Sequence, residues 1–239
     1  MTDLLLIIVA FFTSTLTGIV GLGGGLLLIA AMPGLLPLAA VVPVHGGVQL
    51  ASNVSRALLD LRAVAWRLVV PFVVGAALGA ALGSQIVVRL PARYLLPLLG
   101  LFVLVVTWAP SRRRIRLPGG YAALGGVATF VSLFVGAAGP VCSPFLLREG
   151  LSRDGIVATQ AAWMTVLHSM KLLVFGLLGF AFGPYLFLMT GMVVAAVLGS
   201  WAGKRLRGRV PEQRFRTVFR ILLTLLALRM LLRVGLWAT

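Results

Sequence analysis

The sequence predicts an all-α, polytopic integral membrane protein, and three observations predict it. Of its 239 residues, 60% are hydrophobic and only 11% charged, with a mean hydropathy of +1.08. An average soluble domain is about half apolar and a quarter charged, so one small core cannot hide this much apolar surface. The apolar residues also fall in long runs, each near the length a helix needs to cross about 30 Å of hydrocarbon. Inside a bilayer such runs must be helical, because lipid offers the backbone no hydrogen-bond partner. Finally, 21 Lys and Arg stand against 5 Asp and Glu, a net charge of +16, and most of the basic residues lie between the runs. Placed there they are topology signals and headgroup contacts. With no separate basic domain or aromatic platform, nucleic acid is not an expected partner.

Eight apolar segments follow one another, roughly 4–31, 33–59, 64–88, 93–109, 119–147, 155–180, 183–203 and 217–237. The most hydrophilic stretches, Ser111–Arg116 and Lys204–Arg216, read as loops. Cys142 is the only cysteine, which excludes an internal disulfide, a zinc cluster and an iron–sulfur framework; no metal or cofactor is expected. Met1-Thr2-Asp3 lacks the basic start of a signal peptide, so the first run is expected to be retained.

The chain reads as two halves, 1–110 and 117–239, forming one membrane unit. Gly83-Ser84 followed by Arg89-Leu90 returns as Gly199-Ser200 followed by Arg205-Leu206, 116 residues later. Pro91, Arg93 and Tyr94 answer Pro211, Arg214 and Phe215, while Gly18 and Gly21 answer Gly136 and Gly139. Charge then separates two topologies. If all eight segments cross, Lys and Arg divide almost evenly between the two sides. If the glycine-rich first segment of each half enters and returns, they divide about four to one, and the positive-inside rule makes the rich side cytoplasmic. The second half is then inverted relative to the first, an arrangement common in secondary transporters. Seven to eight hydrophobic segments in two inverted repeats are the expectation, with a plain eight-span bundle as the alternative.

The first segments carry the strongest local signal. Thr17-Gly-Ile-Val-Gly-Leu-Gly23-Gly24-Gly25 interrupts one apolar run, and Gly136-Ala-Ala-Gly139-Pro-Val-Cys142-Ser143-Pro144 the other. Clustered glycine disfavours a helix and proline removes backbone donors. A break at membrane depth is tolerated only against protein or a cavity. The half-helix N-termini it creates offer positive dipole ends and unpaired N–H groups, which suit an anion. Close glycine-mediated helix packing is the competing explanation.

A polar stripe lies beside each break. His45, Gln49, Ser52, Asn53 and Arg56 share one helical face, as do Gln160, Met164, His168 and Lys171. Polar groups this deep should face the bundle interior or a water-filled cavity. Ser52 and Gln49 serve equally well as bonds between helices, and Arg56 has Asp60 one turn away as a ready partner. Lys171 has no acid within its segment, so an anion is its expected partner. The five carboxylates, Asp3, Asp60, Glu149, Asp154 and Glu212, all lie near segment ends, leaving His45 and His168 as the titratable candidates for ion coupling. Arg229 reads as a snorkelling end-residue. Neither Gly-Ser pair has the form an intramembrane serine protease needs, and a Cys142–His168 dyad is the weaker alternative, so no enzyme is expected.

The glycine pattern from Gly18 to Gly25, Pro43-x-His45, Ser52-Asn53-x-x-Arg56, and Gly-Ser followed by Arg-Leu together resemble the sulfite exporter TauE/SafE family. Gly136-x-x-Gly139 followed by Pro144 extends the resemblance over nearly the whole chain. The resemblance implies a multi-pass inner-membrane transporter of sulfite, sulfonates or other sulfur-containing anions. It departs from the family pattern where Pro140-Val-Cys142-Ser143 replaces the glycine cluster of the first half. Residues and resemblance together point to a small oxyanion, held by backbone N–H groups near Gly23, Gly24, Gly25, Gly139, Cys142 and Ser143. Arg56 and Lys171 would supply charge, and His45, Asn53, Gln160 and His168 hydrogen bonds. Export is the expected direction, with a passive channel, a proton-coupled importer and a non-transporting scaffold as alternatives. The partners are the anion and the lipid bilayer, with a homo-oligomer as a further state.

Overall fold

The computed structural model describes residues 2–20, 23–87, 94–108, 118–207 and 212–234. The described residues form ten α-helices: α1 Thr2–Val20, α2 Gly24–Ala31, α3 Leu38–Leu59, α4 Trp66–Val87, α5 Leu95–Trp108, α6 Gly120–Val135, α7 Gly139–Leu146, α8 Arg153–Leu177, α9 Leu186–Leu206 and α10 Glu212–Val234. Ten helices rather than eight segments result because the first and fifth segments each divide in two. Gly23 (φ 93°) precedes α2 and Gly136 (φ 74°) ends α6; both backbones are left-handed, a conformation that glycine adopts without steric cost. At each break the chain doubles back. Gly24 lies against the Thr13 carbonyl and the Thr17 hydroxyl of α1, and Glu149, beyond α7, bonds Tyr121 at the start of α6.

Thr2–Ile19, Trp66–Val87 and Gly183–Leu206 are long and apolar enough to cross a membrane, and α5 and α6 are shorter apolar helices. Helices α3 and α8 are long but less apolar, because each carries its polar stripe inward: His45, Gln49, Ser52, Asn53, Arg56, Gln160, His168 and Lys171 are all buried. Turning those groups toward one another keeps them out of the hydrocarbon.

Helix directions follow from register. Helices α1 and α9 run parallel, Ile7 against Gly191 and Gly18 against Gly203. Helices α4 and α6 are also parallel, with Gly75 against Ala122 and Gly79 against Gly126. In both pairs small residues let the backbones touch, so a Cβ on Gly79 would overlap the Gly126 carbonyl. Such contacts replace the hydrophobic driving force that lipid does not provide. Helix α3 follows α9, with Gly47 at Met189 and Ser52 at Ser200. It opposes α8, since Gly46 meets Lys171 while Ala63, just beyond α3, meets Gly155. Helix α4 follows α8, anchored by Trp163, which stacks on Phe72 at 5.0 Å and donates to the Leu68 carbonyl at 3.0 Å. Helices α1, α3 and α9 therefore point one way and α4, α6 and α8 the other.

The apolar core is divided accordingly. One cluster joins α1, α2, α3, α5, α9 and α10 with Val135 at the end of α6, another joins α4, α6, α7 and α8, and a small third joins Ala80, Leu133 and Val174 of α4, α6 and α8. The α3–α8 crossing lies between the first two. Arg62, Arg67, Arg148, Arg153, Lys204 and Arg207 all come to one end of the bundle, as the directions require. Arg112–Arg116 and the segment 208–211 lie outside the described residues.

Candidate functional site

A cavity opens where the two helix breaks meet α3 and α8. Thr17, Gly23, Gly25, His45, Gln49, Asn53, Arg56, Gly139, Gln160 and His168 line it, with Leu26, Ala137, Ala138, Pro140 and Met164. Its volume is about 40 Å³. On this measure one water needs about 10–15 Å³, so the space suits a group of a few heavy atoms.

The two stripes hold the broken segments. His45 Nε2 donates to the Gly25 carbonyl at 2.8 Å, and Gln160 Nε2 donates to the Gly139 carbonyl at 3.1 Å. Each polar helix thus grips the first residues of one short helix. Pro140 carries no N–H, and the amides of Leu26, Leu27, Val141 and Cys142 already bond the Gly23 and Ala138 carbonyls. Those of Gly25 and Gly139 are therefore the cavity-lining amides left at the positive ends of the helix dipoles. His45 and His168 face each other edge to face, with ring centroids 5.7 Å apart.

Arg56 is buried among neutral partners. Its guanidinium donates to Ser52 Oγ at 2.7 Å, Ser200 Oγ at 3.3 Å and Asn53 Oδ1 at 2.7 Å. Asp60 is not its partner. That carboxylate binds Lys204 at 2.7 Å and Arg207 at 3.0 Å, and Arg207 also binds Asp154 at 2.6 Å. Arg56 therefore keeps a positive charge at the cavity wall with no carboxylate among its bonded partners. A buried charge lacking a counter-ion is costly, and an anion offsets that cost.

The remaining sequence-predicted residues lie elsewhere. Lys171 does not line the cavity; its Nζ donates to the Gly136 carbonyl at 2.6 Å and lies 3.3 Å from His168 Nδ1. Gly24 packs on α1. Cys142 is buried in the apolar cluster with Trp163, and the Ser143 hydroxyl returns to the Gly139 carbonyl at 2.6 Å. The correspondence of Gly18 with Gly136 does not hold in space, since Gly18 packs within α1 while Gly136 ends α6. Gly21 lies outside the described residues.

Sequence reasoning missed the serine group behind Arg56. Ser14, Ser52 and Ser200 bond in a row, at 3.0 Å and 3.2 Å, joining α1, α3 and α9 to the guanidinium. Ser200 was legible only as half of a repeated Gly-Ser pair. The signal that could have found it is a hydroxyl inside an apolar run, one turn before Lys204.

The family model for Sulfite exporter TauE/SafE matches residues 6–230. Comparison with curated proteins and with solved structures finds no match.

Proposed function

We propose, from the premise that this chain belongs to the sulfite exporter TauE/SafE family, that it exports a small sulfur oxyanion through the cavity between α2, α3, α7 and α8. Membership makes it a multi-pass transporter of the cell membrane and not an enzyme. The observation that carries the substrate reading is Arg56, a buried cation held by neutral partners at the wall of a 40 Å³ cavity. Asn53, His168 and the amides of Gly25 and Gly139 supply directed donors around the charge, the arrangement an oxyanion needs.

We read the halves, 1–110 and 117–239, as inverted copies whose first segments re-enter. The support is reciprocal packing. Ile7 against Gly191 is answered by Ala122 against Gly75, and the grip of His45 on Gly25 by that of Gln160 on Gly139. Sites at such repeat interfaces are reached alternately from the two sides as one half rocks on the other. The basic end carries a latch: Arg207 binds Asp60, Asp154 and the Gly18 carbonyl, and Arg153 binds the Ile19 carbonyl.

The test is sulfite efflux from proteoliposomes under a potassium diffusion potential at fixed, symmetric pH. An inside-negative potential of 100 mV favours outward movement of one negative charge by about 2.3 kcal/mol, so efflux should increase with it and saturate with substrate. Flux that ignores voltage and follows a proton gradient supports a coupled importer instead. Non-saturating current supports a channel, and no flux supports a scaffold.

A further inference from the structure

The cavity is not lined by donors alone. Gln160 Oε1 is buried and has no hydrogen-bond partner, although the same amide's nitrogen donates to Gly139. Flipping the amide would set two oxygens against each other, so Oε1 stands as an acceptor waiting for a donor. A buried acceptor left unmade is expensive, and neither a fully deprotonated oxyanion nor a halide can satisfy it.

Across the cavity the character reverses. Arg56 has two of its five N–H groups left after binding Ser52, Ser200 and Asn53, and Asn53 has one left after bonding the Gln49 carbonyl. His168 Nδ1 faces Lys171 Nζ, so in the neutral ring Nε2 carries the hydrogen. Among the described residues Arg56 is the single fixed cation that lines the space; Lys171 stands behind His168. The occupant that fits has one negative charge, accepts on one side and donates on the other.

We infer that the transported species is the singly protonated oxyanion, hydrogen sulfite, and that Gln160 Oε1 accepts the hydrogen of its S–O–H group. This rests on the sulfur-oxyanion reading above and deepens it. One charge and one proton then cross together, bound to one molecule, without a proton-carrying carboxylate. The titratable and charged groups facing the site are His45 and Arg56 from α3 and His168 from α8, with Lys171 behind His168. Asp60, Asp154 and Glu149 are engaged with Lys204, Arg207 and Arg67 at the basic end.

Methanesulfinate provides the comparison. It is a pyramidal monoanion with a methyl in place of the hydroxyl, and it does not titrate near neutrality. Calorimetric affinities of the detergent-purified chain for sulfite and for methanesulfinate are measured from neutral into alkaline pH, through the second dissociation of sulfurous acid. Total sulfite should weaken about tenfold per pH unit beyond that dissociation, while methanesulfinate stays level. In Gln160→Leu the preference for sulfite over methanesulfinate should fall roughly fivefold, the size of one hydrogen bond, and methanesulfinate binding itself shows that the variant is folded. Sulfite affinity that holds or rises with pH overturns the inference and leaves the oxyanion reading standing. Parallel loss of both ligands also overturns it, by assigning the dependence to the protein's own groups. An unchanged preference in Gln160→Leu removes Gln160 from the role, and binding of neither anion sinks the oxyanion reading itself.

Discussion

Lys171 Nζ reaches the carbonyl oxygen of Gly136 at 2.6 Å, placing the buried cation of α8 on the last turn of α6 where that helix breaks. The carbonyl there sits at the negative end of a helix dipole and has lost its onward partner, so a cation is stabilising. Arg207 and Arg153 do the same for α1 at Gly18 and Ile19, at 2.9 Å and 2.8 Å. Both broken segments thus end on cations from distant helices. Lys171 holds a break in shape, and Arg56 is the charge that meets the cavity.

This division predicts unequal consequences. Lys171→Met should destabilise the purified protein by about 2 kcal/mol, the worth of a charged hydrogen bond, and weaken anion binding because the α6–α7 break relaxes. Thermal unfolding in detergent checks it. A variant as stable as the parent would mean that the bond to Gly136 contributes nothing.

Arg56→Gln should abolish sulfite binding, and Arg56→Lys should not restore it. The guanidinium spans Ser52, Ser200 and Asn53 at once, a fork that a single ammonium cannot reproduce. Calorimetry on both variants measures this, and full affinity in Arg56→Lys would reduce the residue to a point charge.

Glu149 gives a pH dependence outside the spans. The Tyr121 hydroxyl, bonded to its carboxylate, and then Arg67 hold its pKa below the ordinary 4.5, against desolvation acting the other way. A depressed carboxyl contributes stability that is fully present above its unfolded value and is lost as pH falls through the folded one. Acid titration of unfolding should therefore decline less steeply below pH 4.5 in Glu149→Gln than in the parent. Identical acid limbs would show that the contact carries no linkage.

Single cysteines at Arg62, Arg148 and Arg207, introduced with Cys142 replaced by serine, should all be shielded from an impermeant thiol reagent in right-side-out cells and label after permeabilisation. A cysteine at Leu178, beyond the other end of α8, should label without it. Labels divided otherwise would remove the inverted arrangement and favour eight plain spans.

Much was legible along the chain. Apolar run length and the absence of backbone partners in lipid dictated helices, and glycine and proline clusters marked where two of them break. The polar stripes at helical spacing announced inward faces, because no other direction is tolerable for His45, Gln160 or Lys171 at that depth. What the chain could not express was which cation meets which acceptor. Arg56 had Asp60 one turn away, yet Asp60 is taken by Lys204 from α9 and by Arg207 just beyond it. Lys171 had no acid nearby, yet a backbone carbonyl across the α6 break claims it. Likewise Cys142 and Ser143 shared the broken motif with Gly139, but one turn of α7 directs Cys142 into the apolar cluster behind Trp163. Periodicity and solvent are local properties, read from neighbours in sequence. Charge pairing at a helix crossing depends on rotation and register between segments far apart, and only the folded packing sets those.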